Sequence, residues 1–396
     1  MTSPVSFPST TGPSTVSVNI AARQDSIPWY VWLAALGVTS AMIGIHWDIS
    51  WHRSIGRDTF WTPAHIAIQL CGVIAGVTCG YLILWTTFAK SALREASVNV
   101  LGFRAPLGAF ITAWGGFTMI TSAPFDDWWH NAYGLDVRIL SPPHVVLALG
   151  MFGVEAGTLV LIAARMNTAS GALRKRLQRL FLYVAAMILV AALVLVLEFT
   201  SRIFLHSAVC YRTVCILVPI IISLAPRATG NRWGGTITAL IYTAFALGME
   251  WILPLFPAQP KLGPVLHDTR QFVPNGFPLL VLAPAFLLDL ARPYLAHWKR
   301  PLQALVMGPL FLLSFLAVQW PFGTFLQSPA ARNAIFGSNY FEYWANPKSY
   351  AMTYRFVLFE KTPQEFWTNM SLALVAAIIA CWIGSVWGEW LRDVRR

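Results

Sequence analysis

The chain has 396 residues, 56% of them hydrophobic and 11% charged, with a mean hydropathy of +0.58. That balance excludes a soluble enzyme domain and describes a polytopic membrane protein. The net charge of +11 is no argument for nucleic acid, because the basic residues gather in short segments between apolar runs, where topology and anionic membrane lipid account for them.

Residues 1–27 are rich in Ser, Thr and Pro, carry only Arg23 and Asp25 as charges, and read as a short disordered cytoplasmic tail with no cleavable signal. Beyond it, apolar runs fall at about 29–47, 62–88, 105–123, 142–164, 180–199, 208–225, 235–256, 276–291, 302–320 and 367–390. They predict an all-α fold of about ten transmembrane helices. Lys and Arg cluster after alternate runs: Lys90, Arg94 and Arg104; Arg165, Arg174, Lys175, Arg176 and Arg179; Arg292, Lys299 and Arg300; Arg392, Arg395 and Arg396. By the positive-inside rule both termini are cytoplasmic, and the expected location is the bacterial inner (cytoplasmic) membrane.

The connection between runs one and two carries Asp48, His52 and His65, and the one between runs three and four carries Asp126, His130 and His144. Four of the chain's 8 histidines thus lie in one repeated pattern, which chance does not readily produce. With the termini inside, both loops emerge on the outer face, so the repeat is a parallel one of helix–loop–helix units. Each leading Asp is four residues before its first His, a spacing that puts the pair on one helical face. Each second His ends a helix-start signal, Thr62-Pro63-Ala64-His65 or Ser141-Pro142-Pro143-His144, with a hydroxyl at the cap and Pro in the first turn. Each loop is expected to fold a helix end back onto a helix start, joining one carboxylate and two imidazoles. That set binds a transition metal with positions left open, and it serves non-haem iron as readily as copper or zinc.

Asp58 and Asp136, each six residues past the first His of its set, are placed either to hold an imidazole N–H or to pair with Arg57 and Arg138. Gln69 and Glu155 lie further along the helices that begin at His65 and His144, and an ionisable residue such as Glu155 at membrane depth is a functional candidate by default.

The basic segment 165–179 separates a metal-binding membrane domain, 28–170, from a second membrane domain, 171–396, of about six helices. The second domain has a long outer loop, 321–365, bearing Tyr340, Phe341, Tyr343 and Trp344. Glu198, Arg202 and His206 recur at four-residue steps and are expected on one face at the end of run five. Glu250, Asp289 and the pair His267-Asp268 read as cavity lining or as partners for loop groups. Cys71, Cys79, Cys210, Cys215 and Cys381 lie in or beside apolar runs without a CxxC pattern and read as core residues.

The stretch Asp48 to His52, then Arg57-Asp58-Thr59, then Thr62-Pro63-Ala64-His65 resembles the metal-site segment of the C subunit of the particulate methane monooxygenase and ammonia monooxygenase family. The stretch from Asp126 through His130 to Pro142-Pro143-His144 is similar to that family's second site, whose leading Asn is replaced here by Asp126. The resemblance covers about residues 28–165, and the six spans after residue 180 depart from the usual, shorter C subunit. It implies a copper-dependent membrane monooxygenase subunit with the metal, and the chemistry, at Asp48, His52 and His65. A- and B-type subunits would be its partners, with an electron donor such as a quinol, and O2 would be used to hydroxylate a small apolar molecule or ammonia. Iron is the alternative metal. Two other functions stay open: a non-catalytic copper carrier or reservoir, and a haem b electron carrier. The paired aspartates at fixed spacing favour the oxidoreductase.

Overall fold

The computed structural model describes residues 26–55, 60–89, 92–133, 141–259, 270–337 and 355–396. It is an all-α polytopic membrane protein. Its helices are α1 (Trp29–Ser54), α2 (Pro63–Phe88), α3 (Leu107–Tyr133), α4 (Pro142–Thr168), α5 (Gly171–Leu195), α6 (Ala208–Thr229), α7 (Gly234–Ile252), α8 (Leu282–Ala291), α9 (Arg300–Gln327) and α10 (Pro363–Asp393). Among the described residues, all but α3 and α8 are long and apolar enough to cross a membrane. α3 has 27 residues but includes Pro124, Asp126 and Asp127. α8 has 10 residues, about 15 Å of helix, because the first part of the predicted span 276–291 is extended chain. A short hairpin, β1 (Val98–Val100) with β2 (Phe103–Ala105), joins α2 to α3.

Small residues set how closely the first four helices pack, since lipid gives helices no hydrophobic reason to associate and backbone proximity must supply the contact. A Cβ added to Gly44 of α1 would lie 2.7 Å from the Ile68 nitrogen of α2, and one on Gly115 of α3 would lie 2.5 Å from the Val154 nitrogen of α4. Gly116 faces Gly76 in the same way across the α2–α3 contact. The hairpins α1–α2 and α3–α4 are therefore clamped backbone to backbone, and their loops bring residues of successive helices together.

α5 starts two residues beyond the end of α4, so Arg174, Lys175, Arg176 and Arg179 occupy its first turns. Its apolar length is buried against α1, α4, α6 and α7, and the main hydrophobic core runs through both halves of the chain, with a smaller one around Trp51, Leu253 and Phe272. The expected helical alignment of Glu198, Arg202 and His206 does not occur. α5 ends at Leu195, and a separate turn (Leu197–Thr200) and a 3-10 turn (Arg202–Phe204) follow. Arg202 donates to the Phe336 carbonyl at 2.8 Å, and the His206 ring lies between Trp320 and Phe356. Arg202 and His206 thus dock the connections around α9.

Two hydrogen bonds tie the far ends of α4 and α10 together: Asn167 Nδ2 donates to the carbonyls of Leu391 and Val394 at 2.8 and 2.7 Å. That end of the bundle is opposite the one bearing His144 and carries the dense basic clusters of the sequence.

Candidate metal centres

α1 continues without interruption past Asp48 and His52, and α3 past Asp126 and His130, so each pair lies one turn apart on its helix. The helix starts behave as their sequences predict. The Thr62 hydroxyl accepts from the His65 N–H at 3.1 Å, and the Ser141 hydroxyl from the His144 N–H at 3.4 Å. These caps fix both histidines in the first turn, with their rings directed back toward the preceding helix.

The result is two clusters of the same composition. In the first, Asp48 Oδ1 lies 3.0 Å from His65 Nε2 and 3.7 Å from His52 Nε2, and the ring centroids are 6.3 Å apart. In the second, Asp126 Oδ1 lies 3.4 Å from His130 Nε2 and 3.6 Å from His144 Nε2, with centroids 6.5 Å apart. Within each cluster the ligand atoms all lie within 4.8 Å of one another. Ligands about 2.0–2.1 Å from a tetrahedral metal sit roughly 3.3 Å apart, in the middle of the carboxylate–imidazole separations found here.

Hydrogen bonding supports the fit. His65 Nδ1 faces the Phe60 carbonyl at 2.6 Å, so that nitrogen carries a proton and Nε2 is the one turned toward Asp48. This outer contact is the kind that orients a metal-ligating imidazole. Asp48 Oδ1 and Asp126 Oδ1 are buried, and the polar atoms nearest them are the imidazole nitrogens of their own cluster. Two imidazoles converging on a buried carboxylate oxygen need a cation there, a proton or a metal ion. The residues thus fit a divalent transition metal at both places. The two clusters also share one end of the bundle, since each lies where one helix of a hairpin ends and the next begins, and the two hairpins pack on each other. Aromatic rings line their edges, Phe60 beside His65, and Phe125, Trp128, Trp129 and Tyr133 on the α3 side. His52 is the most open ligand, with 40% of its side chain exposed.

Asp58 and Asp136, with Arg57 and Arg138, lie outside the described residues, as do His267, Asp268 and the aromatic residues from Tyr340 to Trp344. Glu155 is fully buried, and neither of its carboxylate oxygens has a hydrogen-bond partner; the Gln69 carbonyl oxygen is likewise unpartnered. A buried polar group without a partner costs about 1–3 kcal/mol. Glu155→Met, which keeps the length of the side chain, is therefore expected to raise the melting temperature with both clusters intact. A lower melting temperature in the purified variant would show that the carboxyl has a stabilising partner. All five cysteines are buried thiols outside the clusters, in keeping with core packing.

Sequence reasoning missed the opposite face of α1. Ser50 Oγ donates to the Val273 carbonyl at 2.7 Å, Ser54 Oγ accepts from the Val273 N–H at 2.7 Å, and Arg53 donates to the carbonyls of Pro274 and Asn275. Asn275 Nδ2 donates to the His46 carbonyl at 3.3 Å. The extended strap 270–281 is thus sewn to α1 directly behind the first cluster. Non-helical backbone at this depth is tolerated because protein groups satisfy it. The signal was present: His46, Ser50, Arg53 and Ser54 stand at helical spacing on one face of an otherwise apolar run. Between α1, α5, α7 and the strap lies a cavity of about 50 Å³ lined in part by His46, Tyr242, Glu250 and Asn275. Glu250 fills both roles expected of it, since its Oε2 accepts from the Gly276 N–H at 2.9 Å while it lines the cavity. Asp289 is a partner only, accepting from the backbone and hydroxyl of Thr236 and pairing with Arg292.

In comparisons with known proteins, no family model, no curated protein and no solved structure matches this chain.

Proposed function

We propose that the chain is a copper-binding, C-type subunit of a membrane monooxygenase complex, acting with A- and B-type subunits and a quinol-like electron donor to hydroxylate a small apolar molecule or ammonia. One observation carries the metal part of this reading: both halves of the repeat bring a largely buried carboxylate oxygen and two imidazole nitrogens together within 4.8 Å. Copper in particular, and the oxidation it performs with O2, is inferred from the resemblance of the Asp48–His65 and Asp126–His144 segments to that family.

In this reading Asp48, His52 and His65 hold the reacting metal. The carboxylate neutralises part of its charge, and the Phe60 carbonyl keeps His65 in the tautomer that presents Nε2. Three protein ligands leave positions for O2 and substrate. The partial exposure of His52 gives the approach, and the Phe60 ring packs beside His65. Asp126, His130 and His144 would hold a second ion at the same end of the bundle.

The alternatives draw less support. Carriage of copper along a span calls for soft thiolate or thioether ligands, and the five thiols are buried away from the clusters. A bis-imidazole haem fills all six positions of its iron and has no use for the carboxylate that both rings approach.

The test is elemental analysis with electron paramagnetic resonance on the purified chain and on His52→Ala/His130→Ala. We expect one to two coppers per chain, matching the two clusters, with a nitrogen-ligated Cu(II) signal that the variant loses. Iron, haem or no metal in the unaltered protein would overturn the copper assignment.

A further inference from the structure

At the end of the bundle opposite the metal clusters, α6, α9 and α10 spread around an open cavity of about 630 Å³. Its polar wall is formed by Arg227, Lys299, Arg300 and Glu389, and its rim by Trp298 and Trp382. Glu389 is the one carboxylate in this wall, and it is already matched, paired with Arg300 and, at 3.4 Å, with Arg227. Arg227 also donates to Gln303, whose Nε2 holds the carbonyls of Leu295 and Trp298 at 3.0 and 2.9 Å. The rim is therefore fixed in shape by the same residues that line it. Arg227 Nε is buried without an acceptor, and the charges of Arg300, Arg392 and Arg292 all bear on this guanidinium. Residues 299–301 begin the 28-residue helix α9, which adds the positive end of a long helix to the same wall. The cavity holds a surplus of positive charge and has no anion of its own to match it.

The surroundings identify the anion. Trp298 and Trp382 are half-exposed, as tryptophans at a membrane boundary are. From the rim, Leu302 and Leu305 on α9, and Ile379 and Val375 on α10, continue as exposed apolar residues at helical spacing. A basic pocket at the polar end of an apolar, outward-facing groove matches a molecule with an anionic head and hydrocarbon chains. We propose that this cavity is the headgroup site of an anionic phospholipid, whose phosphate lies among Arg227, Lys299 and Arg300 while its acyl chains run along the outer faces of α9 and α10. The site is independent of the metals.

The test is native mass spectrometry of the full chain released from micelles containing phosphatidylglycerol or phosphatidylcholine. Each cation near an anionic headgroup is worth about fivefold in binding. Phosphatidylglycerol should be retained over phosphatidylcholine by more than that factor, and Lys299→Gln/Arg300→Gln should remove the preference. Lys361→Gln, which removes one positive charge at the other end of the bundle as Lys299→Gln does at this one, should leave it intact. Lys299→Gln alone, at an exposed rim position, provides a variant that does not disturb the Glu389 pairs and should lower retention about fivefold. Equal retention of the two lipids, or an unchanged preference in both variants, would overturn the proposal. Full displacement by millimolar inorganic phosphate would reassign the cavity to free phosphate and equally remove the lipid.

Discussion

Asp48→Ala is expected to empty the first cluster while the second stays filled. The substitution takes away the only anionic ligand and leaves two imidazoles. The loss of affinity should therefore exceed the ~10–100-fold that follows removal of an outer-shell partner. Bound metal should fall by about one ion per chain, and the mirror variant Asp126→Ala should give the same decrement with the other cluster's spectrum retained. Without metal, Asp48→Ala should be no more stable than the parent, because it removes the carboxylate that His65 Nε2 meets at 3.0 Å and His52 Nε2 at 3.7 Å. It should also lose the stabilisation that metal adds to the parent. A metal-to-protein ratio unchanged in Asp48→Ala would remove this residue from the ligand set.

Gly115→Val should abolish the second cluster from a distance. A Cβ at this position would meet the Val154 nitrogen at 2.5 Å and the Gly150 oxygen at 2.7 Å. Both are backbone atoms of α4, so no rotamer change can relieve the clash. α3 and α4 must move apart, which separates Asp126 and His130 on one helix from His144 on the other. Overpacking of a close contact typically costs about 1–3 kcal/mol, and a clash with rigid backbone belongs at or above the upper end. Gly80→Ala is the control, since its added Cβ has nothing within 4 Å. Thermal melts and metal content of the two variants check this, and a Gly115→Val protein that keeps two metals would show that the helices have slack.

The helical architecture and both ligand sets were legible in the sequence, for different reasons. Apolar length against bilayer thickness marks spans without regard to what they contact. The ligands were legible because each set is local, with a helical spacing followed by a hydroxyl–proline helix start. Features that depend on partners distant in the chain were not readable in this way. The glycines that clamp α3 to α4 look like ordinary membrane-helix glycines until the facing backbone is known. The break after Leu195 falls inside a run whose hydropathy continues to Phe199, so no apolar count detects it. The strap 270–281 satisfies its backbone through α1 residues more than two hundred positions earlier, and only the periodic polar face from His46 to Ser54 hinted at it.

The confinement of each ligand set to a single hairpin has a consequence for biogenesis. Among the described residues every candidate ligand precedes α5, and no side chain from a later helix joins either cluster. Once α4 has entered the membrane the nascent chain already holds both sets, so metal can be captured before synthesis of the second half ends. The strap is synthesised more than two hundred residues after α1 and is laid against the rear of that helix, so the order of translation would give a metal access to the first cluster before its supporting backbone is complete.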